Sequence, residues 1–247
     1  MNTNKNADKI KKEKKQIIKK WWFWLLVLFI LIIIFSPSSE NTQNNNDSTE
    51  VKNSTSETSS ENSKNSQSES PKSKLLSSIL NLTQNKKAFD TGSYAVGEIP
   101  TGEYAFVSIS SGSSYYSEKD ASGNIIDNEN FDSWGWIYVN GVGNIDTRGI
   151  LVKESDFSSL GVSSAKEIYL ILNELDNTYN QSGYYKVGVD INEGTHNLTS
   201  IGGQGYVSIE SGPLGNSDII DNEIFNGNYS INITNGQYIK VSKSSIQ

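Results

Sequence analysis

The sequence contains no cysteine, and among its 247 residues there are only one histidine, His196, and one arginine, Arg148. Without cysteine the chain can form neither a disulfide nor a thiolate metal site, and it offers no thiol nucleophile or lipid-attachment cysteine. A Ser–His–Asp triad could use only His196, and a zinc site with several histidines is excluded. Bidentate recognition of phosphate would rest on Arg148 alone. We therefore expect no enzymatic activity, no cofactor and no metal site.

The charged residues are distributed so unevenly that the net charge of −7 describes no part of the chain. Residues 1–20 hold eight lysines and two acidic residues, which gives a side-chain charge of +6. Residues 36–74 carry −2, and residues 75–247 carry −11. Nucleic acid binding requires neutralisation of phosphates, so the acidic C-terminal section predicts no nucleic acid partner.

Residues 21–35 form an uninterrupted apolar segment, WWFWLLVLFILIIIF. Extended back to Ile17, the segment makes a helix of about 28 Å, close to the roughly 30 Å hydrocarbon core of a bilayer. Its three tryptophans lie at one end, where indoles favour the membrane interface, and the lysines before it place the N-terminus in the cytoplasm. The pattern predicts a transmembrane signal anchor at residues 21–35, which contacts lipid through residues 17–35, behind a basic cytoplasmic arm at residues 1–20.

Two other interpretations of the apolar segment are a cleaved signal peptide and a buried core helix. A signal peptide would need small residues at its cleavage site, but the segment ends in Phe-Ser-Pro-Ser-Ser. A core helix would need matching apolar surface, which no other section supplies. A retained anchor is favoured, and it predicts a single-pass protein of the cell membrane with an extracellular C-terminal head.

Residues 36–74 have the composition of a linker. They include 13 serines and 7 asparagines, and apart from two prolines their only apolar side chain is that of Val51. Such a segment cannot bury enough apolar surface to offset its ordering entropy, so we expect it to be disordered. A flexible chain of this length spans about 35 Å on average, which suits a tether between the membrane and the head.

The C-terminal section contains an internal repeat. YAVGEIPTGEYAF, which begins at Tyr94, matches YKVGVDINEGTHNL, which begins at Tyr185, at an offset of 91 residues. NIIDNENF from Asn124 matches DIIDNEIF from Asp218 at an offset of 94. The offset grows slowly, as expected when loops differ in length and structural elements do not.

A short helical pattern precedes each of the two matching segments. The first is LLSSILNL from Leu75, and the second is IYLILNEL after Glu167. Ser164 and Glu167 have the spacing of a capping box, in which each side chain satisfies a free N–H group of the first helical turn. Each predicted unit therefore consists of one short helix followed by several strands.

The strand prediction rests on alternating β-branched and aromatic residues and on frequent glycines. Asn140-Gly141 and Asn235-Gly236 are dipeptides typical of hairpin turns. The expected fold class is all-β with short accessory helices, in which two tandem antiparallel β repeats follow the transmembrane helix and the disordered linker. We expect repeat 1 with its helix at residues 75–153 and repeat 2 with its helix at residues 154–247, each sandwich-like or barrel-like.

The string Tyr-x-Val-Gly-x-(Asp)-Ile-x-x-Gly, as in YKVGVDINEGTH and YAVGEIPTGEY, together with IIDNExF, resembles an uncharacterised β module of Gram-positive cell-surface proteins. The resemblance covers roughly residues 90–153 and 183–243. In that group the module typically follows a membrane segment or linker and can be repeated. The resemblance implies no known activity and transfers no catalytic residue. The first copy departs from the pattern, because Glu98 precedes Ile99 and the aspartate is lacking.

The strand WGWIYV, residues 134–139, provides the candidate binding surface. It aligns with NYSINI, residues 228–233, and the apolar residues common to both predict one inward face. The opposite face carries Trp134, Trp136 and Tyr138, where the second copy has polar residues. These three residues form a candidate stacking platform for sugar rings or for another protein. Alternatively, the row packs against the second repeat, the first helix or the membrane interface.

The acidic residues offer two weaker possibilities. Asp120, Asn124 and residues 127–129 loosely resemble a calcium loop. However, the second copy lacks a counterpart of Asp120, and such residues at turns usually bond to their own backbone. A carboxylate pair could hydrolyse glycosides, but nothing distinguishes one pair among the 20 acidic residues of this section.

The sequence as a whole predicts a membrane-anchored extracellular binding or interaction protein of unknown ligand, which presents a two-repeat β head at the cell surface. Besides membrane lipid, the expected partner is cell-wall glycan or a surface protein. One alternative is a non-enzymatic exclusion or immunity factor acting at the cell envelope. A carboxylate-based hydrolase is the least favoured alternative.

Overall fold

The computed structural model describes residues 69–247. The predicted basic arm, the predicted anchor and nearly all of the predicted linker lie outside the described residues. Among the described residues, none of the helices combines the length and the apolar composition needed to cross a bilayer. All of the described residues belong to one compact unit.

The described part contains three short α-helices, one 3-10 turn and thirteen strands. The helical elements are α1 (Pro71–Gln84), the 3-10 turn (Glu154–Asp156), α2 (Phe157–Leu160) and α3 (Ala165–Leu172). The first β section, residues 88–152, contains β1 (Ala88–Phe89), β2 (Gly92–Tyr94), β3 (Gly102–Ser108), β4 (Ser114–Lys119), β5 (Ile125–Phe131), β6 (Trp134–Val139), β7 (Asn144–Thr147) and β8 (Gly149–Val152). The second β section, residues 183–246, contains β9 (Gly183–Lys186), β10 (Gly194–Glu210), β11 (Ile219–Ile233), β12 (Tyr238–Ser242) and β13 (Ser244–Ile246).

Helix α1 begins earlier than the sequence predicts. Ser70 caps it, since its Oγ accepts the N–H of Ser73 at 3.1 Å, and Pro71 suits a first helical position, where no N–H donor is needed. The last four residues of the predicted linker, 71–74, are therefore helical. The buried positions follow the predicted helical spacing: Leu75, Ile79 and Leu82.

The predicted capping box of α3 forms in part. Ser164 Oγ accepts the N–H of Glu167 at 3.1 Å, as predicted. The carboxylate of Glu167 accepts the N–H of Ser163 at 2.8 Å and not that of Ser164, so the reciprocal bond is shifted by one residue. The helix ends at Leu172, shortly before Glu174 adopts a positive φ of 54°.

Ser164→Ala should lower the free energy of unfolding by about 1 kcal/mol, because the N–H of Glu167 loses its acceptor at the helix start. Urea unfolding of the full-length chain, followed by circular dichroism, measures this change. Ser163→Ala is the control, and its effect should be smaller: it removes the exposed hydrogen bond from Ser163 Oγ to Glu167 at 2.9 Å but keeps the bond from the backbone N–H of residue 163. Equal stability of Ser164→Ala and the unchanged chain would contradict the assigned cap.

The first β section consists of two four-stranded sheets. Their strand orders are β1-β8-β3-β6 and β2-β7-β4-β5, and all neighbouring strands are antiparallel. Phe106 of β3 and Phe131 of β5 stack with their ring centroids 4.6 Å apart. Since these two residues belong to different sheets, the sheets share a core, which is consistent with the predicted sandwich-like arrangement.

The second β section forms one five-stranded sheet. Its strand order is β11-β10-β12-β9, and β13 also pairs with β10. The register of β10 against β11 shifts within residues 199–204, where Gly202 and Gly203 have positive φ. On either side of this bulge β10 has different partners, because residues 198–200 pair with β13 and residues 206–210 pair with β12.

The Asn-Gly dipeptides do not form hairpins, so that prediction is wrong. Asn140-Gly141 connects β6 to β7, which lie in different sheets. Asn235-Gly236 connects β11 to β12, and each of these strands pairs with β10 rather than with the other. Gly141 and Gly236 have positive φ values of 73° and 87°. The dipeptides therefore make tight turns that carry the chain to a non-adjacent strand position.

Elements from beyond residue 153 cover the first β section. Helix α3 packs against β3, β6 and α1. The segment between β10 and β11 reaches the free edge of β6, where the N–H of Tyr138 donates to the carbonyl of Leu214 at 2.7 Å. The N–H of Leu214 donates to the carbonyl of Trp136 at 3.0 Å. The described residues thus form a mostly β structure with three short helices, which confirms the coarse fold class.

Candidate functional site

The predicted aromatic row is not an exposed platform. Trp134 and Trp136 are each 0% solvent-exposed, and Tyr138 is only half-exposed. The structure therefore corrects the expectation of a surface formed by these three residues. It places the two indoles between β6 and elements that follow residue 153, which is the packing alternative.

Aromatic rings from outside the first β section surround each indole. The ring centroid of Trp134 lies 4.9 Å from that of Tyr185 in β9 and 5.5 Å from that of Tyr169 in α3. The ring of Trp136 lies 6.0 Å from Phe157 in α2. Aromatic residues occupy this face of β6 because it is buried. The aligned residues of β11 are exposed and polar: Asn228, Ser230 and Asn232.

Asp190 joins three parts of the head. Its Oδ2 accepts the indole N–H of Trp136 at 2.6 Å and the backbone N–H of Lys186 at 2.9 Å. Its Oδ1 accepts the N–H of Lys166 at 3.1 Å, in the first turn of α3. Burial raises the pKa of Asp190, and these hydrogen bonds, which favour the charged form, oppose the rise. One carboxylate therefore connects β6, the turn after β9 and the start of α3.

The first β section uses Glu98 for the corresponding turn. The carboxylate of Glu98 accepts the N–H of Ala95 at 2.7 Å. Ala95 and Lys186 both follow the tyrosine of the Tyr-x-Val-Gly string, but the turn at Ala95 is one residue shorter. The longer glutamate side chain compensates for the missing residue. The aspartate of the string thus closes a turn, and its replacement by glutamate retains that bond.

Lys186 extends this contact network towards the surface. Its Nζ lies 2.6 Å from Glu103 Oε1, 2.7 Å from Glu154 Oε2 and 4.7 Å from the ring centroid of Trp136. Burial lowers the pKa of Lys186, but the bonds to the two glutamates outweigh it and the net shift is upward. The hydroxyl of Tyr238 donates to Glu103 at 2.8 Å. The network therefore joins the two β sections.

A cleft of about 500 Å³ opens beside this region, between the two β sections. Its wall is the end of β5, with Glu129 and Asn130, and its floor is formed by β10, β11 and β12. On the floor, Tyr206 lies directly opposite Ile224 on one side and Ser242 on the other. Ile224 is 61% exposed, and Tyr206 and Ser242 are half-exposed. The floor therefore presents an apolar strip beside a polar wall.

The charged groups of the cleft balance each other. Lys240 pairs with Glu129 across the cleft. Lys243 and Asp132 are exposed at its rim. The cleft therefore has no net charge, although the C-terminal section is acidic. Two exposed amide side chains complete the polar lining: Asn130 and Gln204.

Two features of the cleft are unfavourable in themselves. Lys243 has a positive φ of 49°. Two hydrogen bonds of its backbone hold it in this conformation. The N–H of Lys243 donates to Ser182 Oγ at 2.9 Å, and the carbonyl of Lys243 accepts the N–H of Ile201 at 2.8 Å. The indole N–H of Trp134, a fully buried residue beside the cleft, has no hydrogen-bond partner among the described residues, and neither have the hydroxyl groups of Tyr116 and Ser117 on β4. An unpaired buried donor costs about 1–3 kcal/mol. The cleft is the candidate site because it is concave and is lined by residues of both β sections.

The acidic string IIDNExF lies on two strands at sheet edges, β5 and β11. In each strand a carboxylate accepts the N–H of the following residue. Glu129 accepts the N–H of Asn130 at 3.0 Å, and Asp221 accepts the N–H of Asn222 at 2.9 Å. These side chains occupy backbone donors of edge strands and add charge there, which protects the edges from unspecific pairing.

Asp120 and His196, which the sequence singled out, bond to nearby backbone. The carboxylate of Asp120 accepts the N–H groups of Ser122 and Asn124 at 2.8 Å each, as is typical of aspartate at a turn. Within residues 69–247, no group of three or more acidic, histidine or cysteine side chains is arranged to hold a metal ion. The ring nitrogens of His196 lie 3.0 and 2.9 Å from backbone carbonyls: those of Gln247 and Asn192.

Glu118 on β4 is a buried carboxylate that the sequence did not reveal. It is 0% exposed, and its oxygens accept the N–H groups of Gly143 at 3.1 Å and Asn140 at 3.3 Å. It therefore holds the turn after β6. Burial, and then the charge of Glu118, raises the pKa of Asp127. A glutamate in an alternating strand normally indicates solvent exposure, so the sequence contains no signal for this role.

In the structure, the three predicted site residues make different contacts and do not form one surface. Trp134 lines the cleft, Trp136 bonds to Asp190, and Tyr138 bonds to Leu214. No protein-family model, curated protein or solved structure matches the chain. The candidate site is therefore defined by its geometry and chemistry.

Proposed function

We propose that the protein is a single-pass membrane protein whose C-terminal head binds a ligand outside the cell, without catalysis. The observation that carries this proposal is the cleft between the two β sections. It is concave, it receives residues from both sections, and it combines the half-exposed ring of Tyr206 with amide and charged groups. Lys243 at its rim is kept in a conformation that its surroundings must stabilise. Cell-wall glycan or a surface protein is the proposed class of partner.

We also propose that the two β sections are copies of one unit. The strand pairings support this proposal. β7 pairs with β2 and β4 in the first section, and β12 pairs with β9 and β10 in the second. β3 pairs with β6 and β8, and β10 pairs with β11 and β13. Gly97 and Gly188, which match in the repeated string, both have positive φ. Duplication would account for the position of the cleft, which lies where the two similar units meet and is lined by different residues from each unit.

The proposed topology rests on the sequence. The apolar segment 21–35 follows a lysine-rich arm and precedes a segment with few apolar side chains. With α1 beginning at Pro71, residues 36–70 remain for the tether between membrane and head. The head would then stand in the extracellular space with its cleft accessible to surface polymers and proteins.

Protease treatment of intact cells should cleave the tether and release the head, because residues 36–70 would be the accessible extended part of the chain. The full-length chain carries one epitope at its N-terminus and another at its C-terminus, and both are followed by immunoblotting. We expect loss of the C-terminal epitope from cells and retention of the N-terminal one. Permeabilised cells are the control, in which both epitopes become accessible. A C-terminal epitope that is cleaved only after permeabilisation would contradict the proposed orientation.

A further inference from the structure

We infer that the cleft binds a neutral oligosaccharide, with a sugar ring over Tyr206 and Ile224 and its hydroxyl groups bonded to the surrounding amides. This inference rests on the proposed binding function and adds the chemical class of the ligand. It follows from four observations: the charge of the cleft, its floor, its wall, and the corresponding place in the first β section.

The charge of the cleft favours an uncharged ligand. Lys240 and Glu129 are bonded to each other, so neither is free for a ligand of the opposite charge. At the rim, the single ammonium of Lys243 is accompanied by the carboxylate of Asp132. An anionic polymer would also approach a C-terminal section with a charge of −11, which repels it.

The floor of the cleft matches both the apolar C–H face and the polar hydroxyl groups of a sugar ring. Tyr206 and Ile224 lie side by side on adjacent strands and are accessible to solvent. An aromatic ring next to an aliphatic side chain suits the apolar C–H face of a sugar. Around this strip, the amides of Asn130 and Gln204 each offer both donors and an acceptor, and the hydroxyl of Ser242 does the same. Sugar hydroxyl groups both donate and accept hydrogen bonds, so they need partners that can do both.

The wall of the cleft disfavours an extended peptide. A peptide would bind an open sheet edge such as that of β5 by adding a strand through backbone hydrogen bonds. The N–H of Asn130, in the stretch of β5 that lines the cleft, is already bonded to the carboxylate of Glu129. The Glu129 side chain would have to break its contacts with Lys240 and with the N–H of Asn130 before a peptide strand could pair with β5 at this point.

The first β section provides an internal comparison. Tyr115 lies opposite Asn130 on β4 and β5 in the same way as Tyr206 lies opposite Ile224 on β10 and β11. In IIDNExF the variable residue is Asn130 in one string and Ile224 in the other. Tyr115 is not among the residues that line the cleft. The apolar strip therefore belongs to the second section, and Tyr115 offers a matched control for Tyr206.

The test is calorimetric titration of the full-length chain, purified in a detergent without a sugar headgroup. The neutral probes are chitotetraose and cellotetraose, and the anionic probe is tetragalacturonate. We expect at least one neutral probe to bind and the anionic probe not to bind. Tyr206→Ala and Ile224→Asn should each weaken binding about tenfold. Ile224→Asn introduces the residue found in the first string, so the fold should tolerate it. Tyr115→Ala should leave binding unchanged.

Preferred binding of tetragalacturonate, or neutral binding that both cleft variants retain, would overturn the inference. A second assay measures retention of the full-length chain on cell-envelope preparations and separates the two proposals. If no tetrasaccharide binds but envelope retention depends on Tyr206, the sugar assignment fails and the binding function stands. If envelope retention is also unaffected by Tyr206→Ala and Lys243→Ala, the proposed function of the cleft fails too.

Discussion

Replacement of Asp190 by alanine should lower the free energy of unfolding by about 3–5 kcal/mol, because three partly buried donors lose their acceptor together. These donors are the indole N–H of Trp136 and the backbone N–H groups of Lys186 and Lys166. Few single substitutions have so large an effect. Urea unfolding of the full-length chain, followed by near-ultraviolet circular dichroism, measures the loss.

Glu98→Ala is the matched control for Asp190→Ala. Glu98 closes the corresponding turn through one bond to the N–H of Ala95, in an exposed position. Its removal should cost about 0.5–1.5 kcal/mol. The difference between the two substitutions isolates what Asp190 contributes beyond its own turn. Equal losses would mean that Asp190 does not connect β6 and α3, and would contradict the role assigned to it.

Trp136→Phe should destabilise the head by about 3 kcal/mol, whereas Trp134→Phe should change its stability by less than about 1 kcal/mol. Both substitutions remove a similar volume from the core. Only Trp136 donates to a carboxylate, and its loss leaves Asp190 with one donor fewer. The N–H of Trp134 has no partner within the described residues, so removal of this unpaired donor offsets the cavity. The two neighbouring indoles are therefore expected to respond differently.

The same unfolding experiment measures both tryptophan variants. A double-mutant cycle between Trp136→Phe and Asp190→Ala should give a coupling energy of about 2 kcal/mol, because the two residues share one charge-assisted hydrogen bond. Trp134→Phe combined with Asp190→Ala should be additive and serves as the control cycle. A destabilisation by Trp134→Phe as large as that by Trp136→Phe would show that the indole N–H of Trp134 is hydrogen-bonded after all.

Some local patterns in the sequence predict local structure correctly, whereas the hairpins expected at the two Asn-Gly dipeptides do not form. The buried residues of α1 and the Ser164 cap of α3 follow directly from spacing and from side-chain chemistry. The turn role of Asp120 likewise follows from the tendency of aspartate to bond its own backbone. Each of these predictions depends on groups a few residues apart, whose geometry the backbone itself determines.

The aromatic row of β6 follows the packing alternative and not the expectation of an exposed platform. In β6 both faces are covered, one by the first β section itself and the other by elements such as α3 and β9. A strand between two layers carries apolar residues on both sides. The polar residues of β11 suggested that the aromatic face was exposed, but the corresponding face of β11 lies at the surface. The two strands β6 and β11 therefore have similar sequences, but other elements cover the aromatic face of β6 and leave the corresponding face of β11 exposed.

Neither the cleft nor the contact of Asp190 with Trp136 could be predicted, because the residues that form them are far apart in the chain. Lys240 and Glu129 are separated by 111 residues, and Asp190 and Trp136 by 54. The sequence identified the aspartate of the repeated string and the tryptophan of β6 as separate features. Neither the periodicity nor the composition of the sequence indicates that these two residues are in contact.

The contact of Leu214 with β6 sets the order in which the head can be completed during biosynthesis. β6 ends at Val139, and Leu214, which covers its edge, is added about 75 residues later. At a synthesis rate of about 5–20 residues per second, this edge stays open for several seconds on every nascent chain. An open edge invites pairing with other unfolded chains. The segment around Leu214 therefore closes this edge of the first β section only late in synthesis.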